Sequence, residues 1–101
     1  MSKEEIKSKL RDAVEKSRFR KEMRRVCVFG SYIYGKPNEK SDIDVLIEFE
    51  PTAHITFFDL SDIKDELEGQ LHKKVDLLTP GALSKYFRAE VLQKSEQIYV
   101  K

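Results

Sequence analysis

Tryptophan is absent from this 101-residue chain, cysteine occurs once, and there are only three prolines and four glycines. A single cysteine leaves no partner for an intrachain disulfide, so the fold rests on an apolar core. No Pro/Gly-rich or low-complexity tract separates two domains, no internal repeat is visible, and no apolar run is long enough to suggest a membrane span. An excess of either charge is missing too. The 19 basic and 18 acidic residues nearly cancel, so no global field calls for RNA or a membrane as partner. What remains is 40% hydrophobic and 37% charged residues, which fits one compact domain over residues 1–101 with a modest core and a well-solvated surface. The amino-terminal stretch is charged throughout and lacks the apolar centre of a signal peptide, so cytoplasmic residence is expected.

Ser2 and Glu5 have capping-box spacing, and Ile6, Leu10, Ala13 and Val14 recur at helical period, predicting a helix over residues 3–17. The basic residues Arg18, Arg20, Lys21, Arg24 and Arg25 read as a solvated helix end, with contact to RNA phosphates or an acidic partner as the alternative. Residues 26–29 predict a first strand, with Cys27 as a buried, reduced thiol. Residues 42–49 predict a second, with Ile43, Val45, Ile47 and Phe49 on one face. A helix over 55–67 places Phe57, Leu60, Ile63, Lys64 and Leu67 near one stripe and is closed by Gly69. A short strand over 75–78, a helix over 82–92 and a strand over 97–100 complete the pattern. The fold class is α/β (α+β), a small mixed sheet backed by helices.

The chemistry concentrates in residues 30–46. Asp42 and Asp44 fall on the same side of a strand, about 6.5 to 7 Å apart, which suits Mg²⁺ bound by carboxylates and substrate phosphates. Two such ions about 3.5 to 4 Å apart serve the attacking and leaving oxygens of a phosphoryl displacement. If the second and third strands are neighbours, Asp76 joins the pair. An acidic residue at an exposed strand end is the competing reading for each aspartate. Gly30 and Ser31 form a turn in which backbone approach, an N–H and a hydroxyl suit a β/γ-phosphate, or else an ordinary strand-ending turn. Gly30, Gly35 and Lys36 mimic a P-loop, but Pro37 stands where that motif needs Ser or Thr.

Gly30-Ser31, ten intervening residues, Asp42-x-Asp44 and a later Asp76 resemble the DNA polymerase β-like nucleotidyltransferase superfamily, and the size resembles its minimal nucleotidyltransferases. That resemblance implies a nucleoside triphosphate, ATP, held at Gly30 and Ser31. It also implies two Mg²⁺ ions on Asp42, Asp44 and Asp76, which are then both the metal ligands and the catalytic residues. Small relatives pair with HEPN-domain RNase toxins, so the implied function is an antitoxin that transfers AMP from ATP to a tyrosine of its cognate toxin in a hetero-oligomer. A non-catalytic antitoxin, or an RNA or small-molecule nucleotidyltransferase, is the alternative. Where the family often has an arginine in the turn, this chain has Tyr34, leaving Lys36 or Lys40 to supply the positive charge, with Lys36 the candidate nucleotide-binding residue.

Overall fold

The computed structural model describes residues 2–30, 33 and 42–101. In chain order it contains α1 (Lys3–Lys16), a 3₁₀ turn (Arg20–Glu22), β1 (Met23–Phe29), β2 (Ile43–Phe49), α2 (Phe57–Leu71), β3 (Val75–Leu78), a second 3₁₀ turn (Pro80–Ala82), α3 (Arg88–Lys94) and β4 (Glu96–Val100). One sheet has the order β3-β2-β1-β4. β1 runs antiparallel to β2 and β4, and β2 runs parallel to β3. A parallel neighbour requires a crossover, and α2 is that crossover. No helix among the described residues is long and apolar enough to cross a membrane.

Alternation along the strands sorts the sheet into two faces. Val26, Val28, Ile43, Val45, Ile47, Val75 and Ile98 pack with Ile6, Leu10 and Val14 of α1 and Ile63, Leu67 and Leu71 of α2 in the main core. The opposite face holds a smaller cluster of Cys27, Phe29 and Leu46, flanked by Leu78, Leu83, Val91 and Leu92. Cys27 is buried and free, and burial pushes its thiol pKa up. Both helices on the main core are N-capped: at the expected cap Ser2 Oγ accepts from Glu5 N–H at 3.1 Å, and in α2 Thr56 and Asp59 form a reciprocal capping box that no expectation named. Ser17 Oγ donates to Glu66 at 2.6 Å and ties the end of α1 to α2.

Four expectations on the elements are corrected. β1 begins at Met23, not residue 26: Met23 is fully buried and Arg25 makes a 2.6 Å cross-strand ion pair with Glu48, so two residues of the basic run lie in the sheet rather than at a helix end. α2 runs past Gly69 to Leu71, because Leu71 is the next residue on the buried Ile63-Leu67 stripe; His72, at φ 56°, takes the left-handed capping position. Phe57 is 85% exposed, since six residues at about 100° each turn it roughly 120° away from Ile63. The helix over 82–92 divides: Leu83 is extended and packs on the small cluster, Ser84 O accepts from Phe87 and Arg88 N–H at 3.0 and 2.9 Å, and α3 starts only there.

The position of Gly69 yields a test. A Cβ there would meet nothing within 4 Å, so Gly69→Ala should stabilise the protein by about 0.5–1 kcal/mol, through higher helix propensity and a less flexible unfolded chain. Urea unfolding measures it. A loss of stability would place the end of α2 before Gly69.

Candidate active site

The register of two strand pairs builds the site. Asp44 is opposite Phe29, the last residue of β1, on one side and opposite Asp76 on the other. Because Ile43 and Val75 are a buried, paired step into the main core, alternation sends Asp44 and Asp76 together to the opposite face. This realises the expected adjacency of the second and third strands, and it brings Asp44 and Asp76 together. Asp42 lies just before β2 and is exposed.

Gly30 follows β1 at φ +81°, a conformation that side chains resist. A Cβ on it would overlap Asp44 Oδ2 and sit 2.8 Å from Asp44 Cγ. The glycine therefore makes room for a carboxylate of the protein itself, a role the sequence reading assigned to an approaching ligand. Ile33 N–H donates to Gly30 O at 3.0 Å. Ser31, Tyr34, Lys36 and Lys40 lie outside the described residues.

The electrostatics match a site built for positive charge. The Asp44 carboxyl is pushed from 3.8 up to about 6, first by burial, then by the negative charges of Asp76 and Asp42 and by a hydrogen bond with Asp76. Two carboxylates on adjacent strands cannot both stay ionised cheaply unless they share a proton or a cation. Among the described residues the three carboxylates do not close into a three-ligand cage; Asp44 and Asp76 form the nucleus, and Asp42 bears on Asp44 through charge. An all-oxygen donor set of this kind fits a hard ion such as Mg²⁺ or Mn²⁺.

Sequence reasoning did not find Glu68. Its Oε2 accepts from Val75 N–H at 2.8 Å, next to Asp76. No local motif marks it, since the contact spans the turn between α2 and β3.

A profile of the family described as Polymerase beta, Nucleotidyltransferase matches residues 5–101. The chain belongs to the polymerase β nucleotidyltransferase family. Within it, protein adenylyltransferase MntA of Thermococcus cleftensis is 35% identical over 97 residues, covering 96% of this chain and 94% of its own. A solved structure provisionally assigned as a minimal nucleotidyltransferase superposes with TM-score 0.76 at 35% identity, covering 94% of each chain. The fold also recurs, at 20% identity and TM-score 0.59, in a complex of a tri-AMPylated Shewanella oneidensis HEPN toxin with its MNT antitoxin, over 98% of this chain and 70% of that one. The protein is a minimal nucleotidyltransferase, an α/β domain with a four-stranded mixed sheet.

Proposed function

We propose that this nucleotidyltransferase is a cytoplasmic antitoxin that uses Mg²⁺ and ATP to transfer AMP to a tyrosine hydroxyl of a cognate HEPN-domain toxin. The observation that carries this reading is the Asp44–Asp76 pair, in register on one sheet face beside the left-handed Gly30. The relationship to MntA supports adenylyl transfer to a protein, and the AMPylated HEPN complex supports the acceptor class.

Asp44 and Asp76 would hold the metal, with Asp42 adding charge from the open edge, and two ions are the expected complement. Bound Mg²⁺ would polarise the phosphoryl oxygens and neutralise charge that develops on them. The turn at Gly30 would admit the triphosphate close to backbone, with Ser31 and Lys36 as its further contacts. As the tyrosine oxygen bonds to the α-phosphorus, the bond to the departing pyrophosphate breaks, and the exposed Asp76 would accept the hydroxyl proton. A domain of this size has little surface to spare for orienting an acceptor, so the partner itself would position its tyrosine. Tyr86 and Phe87, 81% and 61% exposed, follow the Leu83 anchor on the catalytic face and are the docking candidates, since interface cores are enriched in aromatics.

Incubation with Mg²⁺, ATP and the candidate toxin, followed by mass spectrometry, tests the reading. A toxin tyrosine should gain one or more AMP groups, and EDTA should prevent the gain. Tight binding without an adduct would establish a non-catalytic antitoxin, and label appearing on RNA or a small molecule would redirect the acceptor.

A further inference from the structure

β3 is a four-residue strand at the edge of the sheet, yet it carries Asp76. A short edge strand is a poor support for a metal ligand: among the described residues one of its long sides has no strand neighbour, and a slip of one residue would swap the faces of Val75 and Asp76. Three contacts hold its first residues in place. Val75 is buried in the main core, Ile43 N–H donates to Lys74 O at 3.0 Å, and Glu68 Oε2 accepts from Val75 N–H at 2.8 Å. The main-chain carbonyl of Glu68 meanwhile accepts from His72 N–H at 2.8 Å, the bond that closes α2. One residue therefore clasps both sides of the turn from helix to strand, through its carbonyl at the helix end and its carboxylate at the strand start.

The bond is part-buried and Val75 is 2% exposed, so it satisfies an amide that water reaches poorly. It also restrains where Val75 sits, and alternation transmits that restraint to the next side chain. Metal ligands need placement within about 0.5 Å, supplied by groups behind them. We propose that Glu68 is a positioning residue that locks the start of β3 so that Asp76 stands beside Asp44 for metal binding. This rests on the reading that Asp44 and Asp76 hold the ion.

The test compares wild type, Glu68→Ala, Glu68→Gln and Asp76→Asn in two measurements. Hydrogen exchange at the Val75 amide in metal-free protein should accelerate at least about tenfold in Glu68→Ala, from loss of the restraining bond. Mn²⁺ affinity by calorimetry should weaken about tenfold in the same variant, the lower end for groups behind a metal ligand. Glu68→Gln keeps an oxygen acceptor and should preserve both properties. Wild-type Mn²⁺ affinity in Glu68→Ala, with weakened binding in Asp76→Asn, overturns the role of Glu68 alone. Equal weakening in Glu68→Ala and Glu68→Gln overturns it as well, since charge rather than the hydrogen bond would then be responsible. Unchanged Mn²⁺ binding in Asp76→Asn removes the carboxylate-pair reading, and the positioning role falls with it.

Discussion

Asp44→Asn should abolish adenylyl transfer and at the same time make the metal-free protein more stable at neutral pH. Transfer should drop by more than about 100-fold, beyond the range for groups that merely support a ligand, because an anionic ligand itself is removed. The gain in stability follows from the pKa. In the folded state the Asp44 carboxyl titrates at about 6, against 3.8 for the ordinary group, so between these values the native state holds a proton that the unfolded state has released. Stability therefore falls as pH rises from about 4 to about 6, and the deficit persists above that. The displacement converts to about 3 kcal/mol; screening at this partly exposed carboxylate reduces the expected gain from the substitution to about 1 kcal/mol. The amide keeps the size of the side chain and donates to Asp76 without requiring a shared proton. Thermal unfolding with EDTA should show a midpoint rise of about 5 °C at pH 7.5 that vanishes near pH 3.5. Equal midpoints at pH 7.5 would mean that Asp44 is not strained by its neighbours, and wild-type transfer would remove it from the site.

The same pair shows what could be read from the chain before its fold was known. The alternation of Ile43, Val45 and Ile47 already separates Asp42 and Asp44 from the core, and the cap and period at Ser2, Ile6, Leu10 and Val14 already define α1, because these signals act within one or two turns or one strand. That Asp76 reaches Asp44 depends on a pairing across the whole α2 crossover, which the sequence states only as a condition. The end of α2 departs from the expectation for a related reason: Gly69 is a strong local stop signal, but burial of Leu71 one turn beyond Leu67 outweighs it. Leu83 belongs to the apolar pattern of a helix, yet contact with Cys27, Phe29 and Leu46 draws it into extended backbone. Glu68 leaves no trace in spacing, and the fixed spacing from Gly30 to Asp42 and Asp44 marks a motif without showing that the glycine packs on the Asp44 carboxylate. Both contacts join residues through tertiary structure, and both lie within or directly behind the candidate site.

Gly30→Ala should be the most damaging small substitution in the molecule, for two separable reasons. At φ +81° an L-residue is strained whatever surrounds it, by about 1–2 kcal/mol. In addition, the new methyl group would overlap Asp44 Oδ2 and lie within 3.1 Å of Asp44 Cβ, so the carboxylate must leave its place beside Asp76 or the turn must open. We expect a total loss of more than about 2 kcal/mol from the sum of strain and overlap, together with loss of Mn²⁺ binding at temperatures where the variant is still folded. A double-mutant cycle separates the two causes. In an Asp44→Ala background the overlapping oxygen is gone, and the penalty for Gly30→Ala should shrink to the backbone strain alone, about 1–2 kcal/mol. Equal penalties in both backgrounds, measured by urea unfolding, would show that the turn relaxes away from Asp44 freely. The glycine would then serve the conformation of the turn rather than the placement of the Asp44 carboxylate.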